Sequence, residues 1–305
     1  MSESSKIKPY PFYGNWAGHP VADLIAAKSA ILTQRPTKPI VYLAGDSSLD
    51  NKAWIPSSGP GGQDLPVEVP EIYHCFLDPP KPKLDVAFWL NHLLEDRLSA
   101  INAAVEASML RSRNESLLEH DEFIRDNITS QDILIVSIGA NDIALSPTTA
   151  TMRHMLQLAW LSSKKSIEQG TASSLKHFVQ MFRDQTQAYI ERLTAKQKPR
   201  AVIGCTIYFP LEAGKSEEGS WADPQLKALG YGMYPGQLQA AIRQIFASAT
   251  STIKIEGTTV LPCALYEAMD GTDARDYVAR VEPSIEGGRK MAMLLAEQIE
   301  VVLTR

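Results

Sequence analysis

Apolar residues along this chain fall into two kinds of segment that alternate. One kind is a short unbroken run: Ile40 to Ala44, Ala100 to Val105, Ile133 to Ile138, Ala201 to Ile207 and Thr258 to Leu265. Such runs, bounded by polar or turn-forming residues, predict strands buried on both faces of a parallel sheet. The other kind recurs at helical spacing. Val21, Leu24, Ile25, Ile31 and Leu32 form one stripe, and Val86, Trp89, Leu90, Leu93 and Leu94 another. Phe123, Ile124 and Ile128 mark a helix before the third run, and Leu238, Ala241, Ile242, Ile245 and Phe246 one before the fifth. Met291, Leu294, Leu295, Ile299 and Val302 close the chain. Strands alternating with helices predict an α/β three-layer sandwich, a central parallel five-stranded sheet covered on both faces.

Between these elements the pattern lapses in four places. Residues 1–20 are polar and aromatic with Pro9, Pro11 and Gly14, and are expected to form an extended arm. Residues 55–82 are rich in proline and contain Gly59-Pro60-Gly61-Gly62. A structureless stretch that long is usually functional, and it is expected to form a lip of a substrate mouth. Residues 146–180 hold a Met-rich face (Met152, Met155, Leu156, Ala159, Trp160), a polar loop from Ser162 to Ser174 and the start of a helix carrying Phe178, Phe182, Tyr189 and Leu193. That segment reads either as a cap over a site, since Met suits adaptable apolar contacts, or as plain core. Trp221 to Gly236 reads as a loop. No repeat or composition break divides the chain, so one domain over 1–305 is expected.

Composition narrows the function. The net charge is −5, which argues against general affinity for nucleic acid. No run of 18 apolar residues exists, so no membrane span is expected. The first residues, Met1 to Lys8, lack the apolar core of a signal peptide. Cys75, Cys205 and Cys263 are too far apart for a metal motif and odd in number. These features point to a cytoplasmic, metal-free protein without a cofactor, acting on a small-molecule substrate. Oligomeric state is not legible.

Chemistry concentrates at the ends of the apolar runs. Gly45-Asp46-Ser47 follows the first run, and ligands of parallel sheets bind at the carboxyl ends of strands. A serine at a strand-to-helix turn presents its hydroxyl outward, beside N–H groups that favour negative charge. Ser47 can also be read as a simple helix cap. Ser137-Ile138-Gly139-Ala140-Asn141-Asp142 ends the third run, and Glu282-Pro283-Ser284-Ile285-Glu286-Gly287-Gly288 opens the last helix.

Together these blocks make the chain resemble the SGNH hydrolases, the GDSL esterase/lipase family, over roughly residues 40 to 300. The resemblance implies the flavodoxin-like SGNH hydrolase fold. It implies Ser47 as nucleophile, with Asp46 beside it, and an oxyanion hole made by the Ser47 N–H, the Asn141 amide after Gly139, and the N–H of Ala107. Three positions depart from the family pattern. Ala107 stands where a glycine is usual. Alanine keeps the N–H but does not reach positive φ cheaply, so the hole is intact provided the backbone there is ordinary. Ala279 and Glu282 replace the aspartate and histidine of the family's Asp-x-x-His, and Asp276 is out of register. Glu106, next to Ala107, is a candidate oxyanion or substrate-binding residue; it either opposes an oxyanion there if ionised or points away, paired with an arginine.

Glutamate is a weaker base than histidine near neutrality, about 4.3 against 6.5, unless burial raises it. Three readings follow. Ser47 and Glu282 serve an esterase or acyltransferase with an atypical triad. Alternatively, Glu282 is the acid/base of a non-hydrolytic isomerase or cyclase in the same pocket. In the third, the pocket binds a ligand without converting it. His19, His92, His120, His154 and His177 read as surface or packing residues, and His74 in the 55–82 loop as the fallback base.

Overall fold

The computed structural model describes residues 6–56, 66–95 and 97–304. Five parallel strands form the central sheet: β1 Ile40–Gly45, β2 Ser99–Asn102, β3 Ile133–Ser137, β4 Ala201–Thr206 and β5 Thr259–Ala264. Their spatial order is β2-β1-β3-β4-β5. Every residue of β1 to β4 is buried, as the unbroken apolar runs require. The edge strand β5 is part exposed, and it alone accommodates a proline, Pro262, which has no N–H to give to a ladder.

Two helices pack together over one face. Helix Val86–Leu93 begins at Asp85, whose carboxylate accepts the Phe88 N–H at 2.8 Å. Helix Ile285–Leu303 begins at Ser284, whose hydroxyl accepts the Gly287 N–H at 3.1 Å. Helices Val21–Gln34, Glu119–Asn127, Thr186–Leu193 and Pro235–Ser248 cover the other face. This is the predicted three-layer α/β sandwich. The first crossover leads from β1 to β2 and the next returns past β1 to β3. The strand order therefore reverses beside β1, which opens a crevice at the carboxyl ends of β1 and β3.

Several expectations about the connections need correction. The N-terminal arm is not simply extended. Residues Pro9–Gly14 are helical, with Phe12 and Tyr13 buried. The Phe12 ring stacks on His19 at 4.0 Å, and His19 Nδ1 lies 2.7 Å from the Phe12 carbonyl oxygen. Aromatic burial outweighs the two prolines, which are tolerated in a first helical turn. Of the 55–82 loop, residues 57–65 lie outside the described residues. The remainder carries helix Glu71–Phe76, which buries Ile72, Tyr73 and Phe76 against helix Val21–Gln34. It belongs to the core, not to a substrate lip. The polar loop Ser162 to Ser174 contains helix Lys164–Glu168, and the Trp221 to Gly236 loop contains helix Asp223–Ala228. On helix Val21–Gln34, Ile25 is 54% exposed, so the expected stripe was too wide. Among the described residues no helix is long and apolar enough to cross a membrane.

Candidate active site

Backbone geometry at the end of β1 is forced by sequence. Gly45 has φ +143, and a Cβ there would sit 1.7 Å from the Ser137 carbonyl oxygen. Only glycine allows β1 and β3 to come this close before the chain turns. The Asp46 N–H then donates to the same oxygen at 3.1 Å. The Asp46 carboxylate accepts the Ser48 N–H at 3.1 Å and the Gly139 N–H at 3.2 Å, and its Oδ1 lies 2.8 Å from Ser48 Oγ. It is therefore a brace between the two turns. Burial pushes its pKa up to about 6, against the pull of the Ser48 hydroxyl and N–H. Ser47 stands between these anchors, 8% exposed.

Gly139 has φ +111, and a side chain there would strike the Phe182 ring. The turn it makes delivers Asn141, whose Nδ2 donates to the Ser108 carbonyl at 3.0 Å. That leaves the second amide hydrogen free. The Glu106 to Ser108 segment is tied to the same place: the Val105 N–H and the Ser108 hydroxyl both donate to the Gly45 carbonyl at 3.0 Å. Ala107 has φ +56. The backbone there is not ordinary: alanine holds the left-handed conformation that glycine holds easily, at ~1–2 kcal/mol. Among the described residues neither the Ser47 nor the Ala107 N–H has a hydrogen-bond partner.

Glu282 arrives on a tight antiparallel hairpin in which Tyr277 and Val278 pair with Pro283 and Glu282. Its turn residues Ala279 and Arg280 both have positive φ, +47 and +64. Arg280 clamps the hairpin: its guanidinium donates to the Leu211 carbonyl (2.9 Å) and to Asp223 Oδ1 (2.5 Å). The Tyr208 hydroxyl donates to the Val281 carbonyl at 2.6 Å. The Trp221 indole N–H donates to Glu282 Oε1 at 3.1 Å, while Oε2 has no partner and is buried. Burial pushes the Glu282 pKa up to about 7, against the lowering pull of the Trp221 indole and the nearby Ser47 hydroxyl. Asp276 is elsewhere engaged, 2.7 Å from Lys290 Nζ.

Among the described residues Glu106 does not pair with an arginine, so that one of its two readings fails. Its Oε2 accepts the Trp54 indole N–H at 3.2 Å, and its backbone N–H donates to Asp50 Oδ2 at 2.8 Å. Burial, and then the charge of Glu282, push its pKa up to about 8.

Ser47, Asn141 and Glu282 open on one cavity of about 140 Å³. Asp46 and Ser48 also line it; Glu106, Ala107 and Gly139 do not. The rest of the wall is largely apolar: Ile143, Met155, Leu158, Phe178, Ile207, Leu226, Leu229, Leu238, Ile242 and Ile245. No histidine lines it, and among the described residues no group of three His, Cys, Asp or Glu side chains could hold a metal ion. His74 lies on helix Glu71–Phe76, away from the cavity. The 146–180 segment contributes Met155, Leu158, Ala159 and Phe178 to the wall, whereas Met152, Leu156 and Trp160 of the same expected face are exposed. Sequence reasoning missed Trp221, Tyr208, Arg280 and Trp54. Trp221 alone had a local signal, an aromatic in a Gly- and Pro-rich loop.

No protein-family profile and no curated protein matches the chain. Among solved structures it is similar to an extracellular lipase from Streptomyces rimosus at 12% identity, covering 86% of this chain and 99% of that one, TM-score 0.42. It is similar to the M. smegmatis aryl esterase at 13% identity, covering 87% and 99%, TM-score 0.40. A phospholipase A1 from Streptomyces albidoflavus NA297 shares 11% identity over 86% and 99%, TM-score 0.39. At these values the likeness says nothing about substrate.

Proposed function

We propose that the protein is a divergent SGNH-type serine hydrolase that cleaves an ester with an apolar acyl group, using Glu282 where the family uses histidine. One observation carries the reading: Ser47 and the unpartnered Glu282 Oε2 share the wall of a cavity that is otherwise almost wholly apolar. A base works best with a pKa near the working pH, and burial brings Glu282 there.

The reaction divides into familiar steps. Glu282 takes the Ser47 proton as Oγ attacks the ester carbonyl. The oxyanion meets the Ser47 N–H, the free Asn141 amide hydrogen and the Ala107 N–H, each worth roughly 3–4 kcal/mol in sites of this kind. The tetrahedral intermediate collapses, and the alkoxide leaves with the proton held by Glu282. Water then attacks the acyl-Ser47 ester by the same route. Trp221 fixes one carboxylate oxygen and leaves the other for the proton. The apolar wall takes the acyl chain, and helices 149–161 and 175–185 act as its cap.

Turnover of nitrophenyl esters of increasing acyl length tests this. Rates are expected to rise from acetyl to a medium chain and to vanish in Ser47→Ala. A raised carboxyl in an apolar cavity without histidine also suits acid/base chemistry on a bound apolar substrate without acylation. Ser47→Ala would then retain conversion of that substrate while Glu282→Gln loses it.

A further inference from the structure

Apolar side chains line the cavity and also cover its outer rim. Helix Thr149–Leu156 runs on through the turn Gln157–Leu161. Thr151, Met155 and Leu158 are buried on its inner side. Met152 and Leu156, four positions apart, share the opposite side. Both are exposed, as is Trp160, and Leu161 is 81% exposed. The Trp160 indole N–H donates to the Ala228 carbonyl at 2.7 Å, and its ring packs on Gly230, where an added Cβ would come within 3.0 Å of it. Gln237 Nε2 donates to the Leu158 and Ser162 carbonyls, both at 2.8 Å. These contacts fasten the helix to the loop that carries Met233 and Tyr234, also exposed. The same two segments line the cavity through Leu158, Ala159, Leu229 and Leu238. Single exposed apolar residues are ordinary, but a contiguous set at a cavity rim marks an interaction surface.

Charge on this rim runs against that of the whole protein. From Ile143 to Ile167 the chain carries Arg153, Lys164 and Lys165 and no Asp or Glu, within a net charge of −5. All three cations are exposed. Arg153 lies next to Met152 and within one turn of Leu156. Lys164 Nζ stands 3.4 Å from a Cβ added at Gly236, in the loop just past Tyr234, and pairs with Glu168 at 3.6 Å. Arg153 and Lys165 have no ion-pair partner among the described residues.

We propose that this rim docks on the surface of an anionic lipid bilayer. Trp160, Leu161, Met233 and Tyr234 enter the headgroup layer, and Arg153, Lys164 and Lys165 meet lipid phosphates. An apolar face with tryptophan and leucine, edged by cations, suits the membrane interface, where the rings and chains leave water and the cations stay in it. A second copy of the chain fits less well, because a two-fold interface would set the same cations against each other. The proposal goes beyond the hydrolase reading and does not depend on it, so Ser47→Ala should bind as the wild type does.

Co-sedimentation with vesicles tests it. Affinity for phosphatidylcholine vesicles holding about 30 mol% phosphatidylglycerol should exceed that for pure phosphatidylcholine at least tenfold. It should fall at least tenfold between about 0.1 M and about 1 M salt, as the Debye length shortens from ~10 to ~3 Å. Leu161→Asp, at a solvent-facing position, should melt within about 2 °C of the wild type and bind at least tenfold more weakly. Arg153→Gln with Lys165→Gln should also lose at least tenfold, and decides the matter if Leu161→Asp does not fold. Of the five tryptophans, Trp160 should carry the blue shift in emission on anionic vesicles, and Trp160→Phe should abolish it. Binding to neither vesicle, equal binding to both, or a blue shift kept in Trp160→Phe would overturn the inference. So would a dimer in sedimentation velocity that Leu161→Asp dissolves, without vesicle binding, since the face would then join two copies.

Discussion

Replacing Glu282 by Gln should make the protein more stable at alkaline pH and leave it unchanged in acid. The sign follows from the folded-state pKa of about 7 against 4.5 for the free group. Below pH 4.5 the carboxyl is protonated in the folded and unfolded chain alike. Between 4.5 and 7 the unfolded chain loses its proton first, so stability falls as pH rises. Above 7 the whole penalty is present. Each pH unit of displacement is worth ~1.4 kcal/mol, so the full penalty is roughly 3 kcal/mol, with burial the main cause. Glutamine carries no such penalty. Its amide oxygen can keep the Trp221 N–H, and its NH₂ takes the position of the unpartnered Oε2. Some of the gain is lost to local relaxation, so about 1–2 kcal/mol, or ~2–3 °C in melting temperature for a chain of this size, is expected at pH 9. Thermal melts of both proteins at pH 4, 6 and 9 measure it. An equal difference at all three values, or a variant less stable at pH 9, would refute the argument that an uncompensated buried acid sits at this position.

Three further outcomes are expected. Gly45→Ala places a methyl 1.7 Å from a backbone oxygen; it should lose more than about 4 kcal/mol, seen as insoluble protein or a fall in melting temperature of about 6 °C or more. Ala107→Gly relieves a left-handed alanine but gains freedom in the unfolded chain, so melts should show a change of no more than about +1 kcal/mol, while Ala107→Val should lower both stability and turnover. Ala159→Phe thrusts a ring into the half-exposed end of the apolar wall; it should reduce kcat/KM for a medium-chain ester roughly tenfold and leave the acetyl ester within twofold, measured side by side.

Much of this molecule was legible in its sequence because its strands are unbroken apolar runs. Ile40 to Gly45 and Ile133 to Ser137 came out as strands almost to the residue. Ala100 to Val105 was placed too far along, since Ala103 to Val105 are buried and apolar yet lie beyond the ladder. The short helices Pro9–Gly14, Glu71–Phe76 and Asp223–Ala228 were read as loop because prolines at their starts look like breakers. The site residues on strand ends, Ser47 and Asn141, carry local motifs. The residues that set its electrostatics do not. Trp221 reaches Glu282 across 61 positions and Trp54 reaches Glu106 across 52. Neither contact has a periodicity to betray it. Positive φ at Ala107 was likewise hidden, because alanine is seldom asked to adopt it.

The claim at the centre of this account is that Ser47 is a nucleophile activated by Glu282, and trapping the covalent intermediate tests it most directly. The protein should be incubated with a medium-chain nitrophenyl ester, quenched in acid, and examined by intact-mass and peptide mass spectrometry. One acyl group per chain is expected on Ser47 in the wild type, none in Ser47→Ala, and accumulation slowed at least 100-fold in Glu282→Gln. Acylation at another residue, or equal labelling of Ser47→Ala, would contradict it.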